Sequence, residues 1–225
     1  LVPSHEWIGE LAKRSRWGLV CEAARAGGSL GEARKGMAGY HLTFSGVAAH
    51  AGNDPEKGRS AITARANSVI AINALTDWDR GTTLNVGVIH GGSAANVVAD
   101  SAVAELDVRF WENDEYDRVN QALEALCEKG FLDGVTTTLA RVNHKPAMAT
   151  SKATQALMQQ VEAAGKAEGI DITWQEVGGG SDANHTAALG IPTLDGLGPL
   201  GAGFPSPAAW PDKASLAPRD RTRAV

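Results

Sequence analysis

Tyr40-His-Leu-Thr-Phe-Ser-Gly-Val-Ala-Ala-His50-Ala-Gly52 opens the stretch that decides the fold, residues 40–143. Tyr40, Leu42 and Phe44 alternate with polar neighbours, as they do in a half-buried strand. Further along the stretch, apolar residues follow helical spacing, alternate twice, return to helical spacing and alternate once more. The resulting order, β-α-β-β-α-β, predicts an antiparallel sheet with two helices on one face. This architecture hosts many functions, so it does not by itself identify a chemistry.

The segments on either side of this stretch read as pieces of a second layer. Helices are predicted at residues 8–17 and 153–169, and short strands at 19–21, 170–174 and 191–194. Around Pro146 the apolar period stops, which indicates a linker. The whole chain is therefore expected to be of the α/β class.

Composition excludes some classes of function. The chain has 225 residues, 43% of them hydrophobic and 21% charged, and these are ordinary values for a globular protein. A net charge of −5, without a stripe of Lys and Arg, argues against an electrostatic nucleic-acid binder. No apolar run approaches the roughly 20 residues that span a bilayer.

The cysteines and the first residue bear on the cellular compartment. Cys21 and Cys127 lie among apolar neighbours, so buried free thiols in a reducing compartment are expected, although a single disulfide stays open. Leu1 is followed by no signal-peptide pattern. We therefore expect part of a longer cytoplasmic product, whose targeting signal could lie outside these residues.

Glu22 and His50 are candidate site residues with two interpretations each. Glu22 follows a predicted strand, where a carboxylate can bind a ligand or simply face solvent. His50 lies in a glycine-containing loop, where it could be an ordinary surface histidine or could stabilise an oxyanion.

Asn96 and Arg109 are equally open from the sequence. Asn96 could donate its amide to a substrate oxygen, or it could satisfy its own backbone in a loop. Arg109, two residues from Asp107 and four from Glu105, could bind a carboxylate through two hydrogen bonds, or it could form a cross-strand ion pair.

A glycine-rich stretch, Gly178-Gly-Gly-Ser-Asp-Ala-Asn184, precedes a short predicted helix that ends at Leu189. Backbone N–H groups at such a position can face a bound carboxylate or phosphate. The spacing is not that of a P-loop, because no Gly-Lys-Ser/Thr follows. Asp182 can be explained as a helix cap or as a partner of the helix dipole, and His185 as an exposed or satisfied helix residue.

With these residues placed, the chain resembles the zinc-dependent exopeptidase and deacylase family that contains carboxypeptidase G, acetylornithine deacetylase and aminoacylase. The matching pieces follow the family's order along nearly the whole chain: Val20-Cys-Glu22-Ala, Ala48-Ala-His50-Ala-Gly with Pro55 and Gly58-Arg-Ser-Ala, Asn96-Val-Val, Asp107-Val-Arg109, Gly178-Gly-Gly-Ser-Asp-Ala-Asn184 and Leu194-Asp-Gly-Leu-Gly-Pro.

The resemblance implies a two-domain α/β architecture. Residues 1–37 and 147–225 would form the rear part of a partial zinc-peptidase-like catalytic layer. Residues 38–146 would form an inserted α+β lid that makes a homodimer. The substrate class that it implies is an N-acyl amino acid or a peptide with a free carboxylate.

The resemblance also implies a role for each matching residue. Glu22 would bind one of two zinc ions, and His50 would steady the tetrahedral intermediate in the partner subunit's site. The implied substrate-binding residues are Asn96, Arg109, Lys145, Gly180 and Ser181.

The departures from the family pattern concern the metal. The first metal-binding motif, the bridging Asp and the general base find no match ahead of Glu22, and the last zinc histidine is replaced by Pro205. The acidic residue usual shortly afterwards is Ala209. A two-zinc site needs several N or O ligands and a base. We therefore expect the chain as it stands to retain no zinc and to be inactive, with a non-catalytic homodimerising or ligand-binding module as the alternative.

Overall fold

The computed structural model describes residues 2–24, 26–203 and 206–221. The chain forms two compact units. The middle unit is Met37–His144, and the flanking unit comprises the described residues before and after it.

The elements are numbered in chain order. The helices are α1 Val2–Ala12, α2 Ala61–Asn73, α3 Asn113–Lys129, α4 Lys152–Ala167, α5 Ala183–Ala188 and α6 Leu216–Arg221. The strands are β1 Gly18–Leu19, β2 Leu30–Arg34, β3 Gly36–Ser45, β4 Ala49–His50, β5 Thr83–Gly91, β6 Val97–Val98, β7 Ser101–Phe110, β8 Thr136–Lys145, β9 Trp174–Val177, β10 Thr193–Leu194, β11 Gly201–Ala202 and β12 Trp210–Pro211. Among the helices of the described residues, none has both the length and the apolar character needed to cross a bilayer.

The middle unit is built on a four-stranded sheet in the order β5-β7-β3-β8, with β5 and β7 antiparallel. The alternation seen in the sequence becomes two faces in β7, where the even-numbered residues from Ala102 to Phe110 are buried. Helix α2 packs on β5 and β7, and α3 packs on β7. The predicted β-α-β-β-α-β order and the mixed α/β class are confirmed.

Large apolar side chains hold this sheet to its helices. Phe44 and Phe110 have no exposed surface, and Phe44 meets Phe131 edge to face with ring centroids 6.1 Å apart. Burial of each such side chain contributes roughly 1.5–3 kcal/mol. The core of the middle unit therefore comes from the residues whose spacing predicted it.

The flanking unit combines strands from both ends of the chain. β1 pairs in parallel with β10, β2 pairs in parallel with β9, and the bridge Gly31–Asp195 joins β2 to the residue after β10. Its apolar core gathers buried residues from β2, α4, β10 and the loop beyond: Leu30, Leu157, Val161, Leu194 and Leu197.

Two predicted elements lie elsewhere than expected. The first helix is Val2–Ala12 and not 8–17, because the chain turns at Lys13 and Arg14. The strand expected at 170–174 is Trp174–Val177, because Ile170 first folds back to donate its N–H to the Gly165 carbonyl at 2.8 Å. Pairing with β2 begins only at Trp174.

The expectation that both cysteines are buried is wrong for Cys21. Cys21 is exposed, Cys127 is half-buried, and both thiols are free. The β1–β10 pairing ends at Leu19, so Cys21 lies beyond the sheet that would have covered it.

Candidate functional site

A short ribbon brings His50 and Asn96 together although they lie far apart in the sequence. In β4 and β6, Ala49 pairs with Val98 and His50 pairs with Val97. One residue further, the Ala51 N–H donates to the Asn96 carbonyl at 2.9 Å. The two loops that the sequence singled out in the middle unit therefore form one surface.

The hydrogen bonds of His50 fix the tautomer of its neutral ring. Nδ1 accepts from the backbone N–H groups of Gly52 and Asn53, both at 3.1 Å. An acceptor nitrogen carries no proton, so the neutral imidazole carries its proton on Nε2. The side chain is exposed, so Nε2–H can donate to an oxygen that approaches from solvent.

Asn96 is exposed as well, and it uses its backbone carbonyl to hold the ribbon. Its side-chain amide can donate two further hydrogen bonds. His50 and Asn96 together can present N–H donors to one developing negative charge, which is the chemistry of an oxyanion hole.

Arg109 lies at the opposite end of the sheet. Its Nε donates to Asp107 Oδ2 at 2.8 Å, and Nη1 lies 3.8 Å from the Met37 sulfur. The ion pair therefore runs along one strand and not across strands, because Arg109 faces Thr83 in β5. With 30% of its side chain exposed, this pair contributes only about 0–1 kcal/mol and leaves the guanidinium able to take another carboxylate.

The separation between His50 and Arg109 follows from the sheet. Gly46 N–H donates to the Asp100 carbonyl where β3 ends and β7 begins, whereas Arg109 contacts Met37 at the other ends of these two strands. At about 3.3 Å per residue, β7 alone places the ribbon roughly 25 Å from Arg109. An acylated amino acid is too small to reach both from within one copy of the chain.

In the flanking unit, the glycine-rich loop is held through Ser181, which is buried. Its Oγ donates to Asp195, and its N–H donates to Asn184 Oδ1 at 2.8 Å. Lys145 Nζ donates to the Ser181 carbonyl at 3.3 Å. Ser181 and Lys145 therefore meet, and the serine hydroxyl is already engaged by a protein carboxylate.

The neighbouring residues of the loop differ in what they offer. Gly180 is exposed. Asp182 precedes α5 but makes no side-chain capping bond, so the capping interpretation is wrong. Asn184 donates to the carbonyls of Lys35 at 3.2 Å and Pro146 at 2.8 Å, which ties the loop to both chain segments of the flanking unit.

Sequence reasoning missed the two charged residues at the centre of this network. Arg34 and Asp195 are almost completely buried and form an ion pair, and Arg34 Nη1 donates to the Gly179 carbonyl at 2.7 Å. The available signal was an aspartate directly after the buried strand Thr193–Leu194. It was overlooked because its partner Arg34 lies 161 positions earlier in the chain, and no local spacing links the two residues.

The described residues do not fit a zinc site. Glu22 is exposed, and its carbonyl accepts from Gly198 N–H at 2.8 Å. Across residues 2–24, 26–203 and 206–221, no three His, Cys, Asp or Glu side chains lie close enough to share a metal ion. Pro205 lies outside the described residues, and Ala209 is exposed.

Comparison with known proteins matches this chain to a family model and to a relative of similar sequence. Residues 33–135 match the family model of the peptidase dimerisation domain. Carboxypeptidase G2 of Pseudomonas sp. (strain RS-16) is 28% identical over 218 residues, which are 96% of this chain and 52% of that protein. The chain is therefore similar to the exopeptidase and deacylase family of carboxypeptidase G, through its match to the dimerisation domain and its likeness to carboxypeptidase G2.

Two further proteins resemble this chain, one in sequence and one in fold. One component of the p-aminobenzoyl-glutamate hydrolase of Escherichia coli (strain K12) is 37% identical over 90 residues, covering 38% of this chain and 21% of that one. The aminopeptidase PepT structure from Bacillus cereus ATCC 10987 has the same fold, with a TM-score of 0.80 at 24% identity, covering 94% of this chain and 57% of that one. The chain thus spans about half the length of carboxypeptidase G2 and of PepT.

Proposed function

We propose that this chain belongs to a metal-dependent amide hydrolase that releases an amino acid with a free carboxylate, and that the chain as it stands is inactive. In this proposal the middle unit is the lid and dimerisation domain, assigned to residues 38–146. The flanking unit is the rear part of the catalytic domain, assigned to 1–37 and 147–225. The observation that carries the proposal is the ribbon that joins His50 to Asn96.

His50 and Asn96, the two donors of the ribbon, would contribute oxyanion stabilisation to the hydrolysis of an amide. As an amide carbonyl becomes tetrahedral, its oxygen gains negative charge. His50 Nε2–H and the Asn96 amide would donate hydrogen bonds to that oxygen and lower the barrier. This role needs an imidazole with a proton on Nε2, and the two backbone N–H groups that donate to Nδ1 fix the neutral ring in that tautomer.

Arg109 in the middle unit and, separately, Lys145 with the glycine-rich loop in the flanking unit are each proposed as groups that can bind a carboxylate. Arg109 is proposed for a bidentate contact, since its ion pair with Asp107 is partly open to solvent and uses only Nε. Lys145 would add charge beside the loop, where it already contacts Ser181. Gly180 would contribute backbone N–H, whereas the Ser181 hydroxyl would act on the loop through Asp195.

A homodimer would explain how the distant groups act together. His50 and Arg109 of one copy lie too far apart to share a substrate, so we propose that His50 and Asn96 act in the partner's site. A contact surface is offered by the edge strand β5 and one side of α2, whose apolar residues are exposed: Ile62, Ile70, Val88 and Ile89.

The dimer proposal is tested by sedimentation of the purified chain. Ile70, 72% exposed, is changed to Glu, and Val142, 51% exposed on the opposite edge strand β8, is changed to Glu as the matched control. We expect a dimer for the wild type and V142E and a monomer for I70E. A monomeric wild type, or dissociation by V142E alone, contradicts the proposed surface.

The inactivity is tested by metal analysis and turnover. Support comes from the sequence. Glu22 matches a zinc ligand of the family, but Pro205 replaces the last zinc histidine and Ala209 the acidic residue usual after it. After dialysis against one equivalent of zinc, we expect less than stoichiometric metal and no hydrolysis of N-acetyl amino acids or p-aminobenzoyl-glutamate. Stoichiometric zinc together with turnover refutes the inactivity.

The alternative is a non-catalytic homodimerising or ligand-binding module. It is favoured by one observation, namely that the glycine-rich loop is fully anchored by protein groups alone. A metal-free dimer that binds an N-acetyl amino acid without hydrolysing it would support this alternative.

A further inference from the structure

The buried pair Arg34–Asp195 holds the glycine-rich loop at Gly179 and at Ser181. Arg34 Nη1 holds the Gly179 carbonyl at 2.7 Å, and Asp195 accepts from the Ser181 hydroxyl. Asp195 Oδ1 also accepts from Gly196 N–H at 2.6 Å. One carboxylate and one guanidinium thus fix the loop at two positions on either side of Gly180.

This anchoring leaves two backbone N–H groups of the loop unpaired. Within the described residues, the Gly179 and Gly180 N–H groups have no hydrogen-bond partner. A Cβ added to Gly178 or Gly179 would meet nothing within 4 Å, so the space beside the loop is open. A loop that protein groups anchor, and that has unpaired N–H groups and open space beside it, can bind a carboxylate.

The burial of the pair makes this arrangement stiff. Both side chains are at most 3% exposed, so neither can exchange its partner for water. A glycine run has more conformational freedom than other sequences, and it adopts one shape only where surrounding groups impose it. Arg34 and Asp195 supply that constraint from β2 and from the end of β10.

We propose that Arg34 and Asp195 are positioning residues that preorganise the Gly178–Asp182 loop for a substrate carboxylate. The inference rests on the proposed function in taking that loop as a carboxylate site. It goes beyond it by assigning the affinity of the loop to an ion pair that does not touch the ligand.

The test compares Asp195 with Glu115, two buried carboxylates that are each paired with arginine, one in each unit. In ¹⁵N-labelled chain titrated with N-acetyl-L-glutamate, we expect saturable shifts of the Gly179 and Gly180 amides. Asp195→Asn should weaken the apparent affinity at least tenfold. Glu115→Gln, which removes the buried carboxylate of the middle unit, should leave the affinity within twofold of wild type, although it also lowers stability.

A second readout does not depend on the ligand. Hydrogen exchange at the Ser181 and Asn184 amides should accelerate at least tenfold in Asp195→Asn and stay unchanged in Glu115→Gln, measured where both variants are folded. Arg34→Lys, which keeps the charge but cannot reach both partners in a fixed fork, should fall between wild type and Asp195→Asn.

The outcomes separate the two proposals. If wild type titrates and Asp195→Asn binds equally well, the positioning role is wrong. If wild type shows no shift while the loop amides of Asp195→Asn still exchange faster, the carboxylate site of the proposed function fails and the ion pair only shapes the loop, which overturns the inference as stated. Equal loss of affinity in Glu115→Gln also overturns it, because instability alone would then account for the effect.

Discussion

Two buried carboxylates, one in each unit, are paired with arginine in different ways. Glu115 is 1% exposed at the start of α3 and bonds to Arg118 and Thr82, with Arg80 close by. Its arginines are 39% and 44% exposed, so their outer ends reach solvent. Asp195 instead meets an arginine that is itself 3% exposed. The comparison teaches that the Glu115 cluster stabilises the start of α3, whereas the buried Arg34–Asp195 pair anchors a loop that has unpaired N–H groups.

The Asp195 pair is expected to give the largest loss of stability. Arg34→Met leaves an uncompensated carboxylate with no access to water, which costs about 3–5 kcal/mol. Urea unfolding monitored by circular dichroism measures the loss. The double change Arg34→Met with Asp195→Leu removes both charges and should recover a large part of it. A loss below about 1 kcal/mol for Arg34→Met would mean that water reaches the pair and that the two regions do not differ.

Glu115 is expected to give the next largest effect, with a defined pH dependence. The hydrogen bond from Arg118 is the largest cause that lowers the pKa of Glu115 from 4.5 to about 2, with further lowering by Thr82 and Arg80. Because the folded pKa lies below the unfolded one, the stabilisation is complete above about pH 4.5 and is lost as the pH falls towards 2. It amounts to about 3 kcal/mol at neutral pH.

Unfolding of Glu115→Gln across pH checks this expectation. The variant should be less stable than wild type at pH 7, and the difference should shrink between pH 4.5 and 2. Glu112→Gln, an exposed neighbour just before α3, serves as the control and should change stability by less than about 0.5 kcal/mol. A difference that does not depend on pH would place the effect in packing and not in charge.

Helix caps offer a smaller comparison between the two units. Ser60 caps α2 by accepting from Thr63 N–H at 3.1 Å, and Ser151 caps α4 by accepting from Thr154 N–H at 3.0 Å. Replacing either serine with Ala should cost about 1 kcal/mol in thermal or urea unfolding. Ser93→Ala, at an exposed loop position, is the control. A cost for either serine no larger than that of the control would contradict its capping role.

His144 gives the smallest expected effect on stability. Its titration falls at a higher pH than that of Glu115, so the middle unit has two pH ranges in which stability is lost. Burial lowers the pKa of His144 below 6.5, and nearby Arg141 lowers it further. The ring packs against Tyr116 with centroids 4.1 Å apart. Because the folded pKa is depressed, this stabilisation is present above pH 6.5 and is lost below it. An NMR titration of the ring should give a midpoint below 6.5, and a midpoint above it would contradict the burial of the ring.

Local patterns predicted the middle unit well because its elements carry their own signals. The alternation in β7 and the helical spacing in α3 each follow from one buried face, so the order of elements can be read along the chain. The sheet order β5-β7-β3-β8 places strands side by side that are distant in sequence, and no local pattern specifies it. Where two signals competed, prediction failed. Residues 170–174 alternate as a strand does, yet Ile170 is bonded back to Gly165 and the ladder starts only at Trp174.

The candidate site shows the same division. Motif recognition selected His50, Asn96, Arg109, Lys145, Gly180, Ser181 and Glu22 from the sequence, and their roles stay predictions. Their spatial arrangement came from the structure. The pairing of β4 with β6 joins His50 to Asn96, and the length of β7 separates both from Arg109.

The sequence by itself determined the class of the fold, the order of elements in the middle unit and the family that the chain resembles. These depend on the periodicity of apolar residues and on short motifs, which are local properties of the chain. Only the tertiary structure decided that Arg34 lies against Asp195 and that the Ser181 hydroxyl is engaged behind its loop. The physical reason is that a buried charge must find a partner wherever the fold provides one, and no spacing along the chain specifies which distant residue that will be.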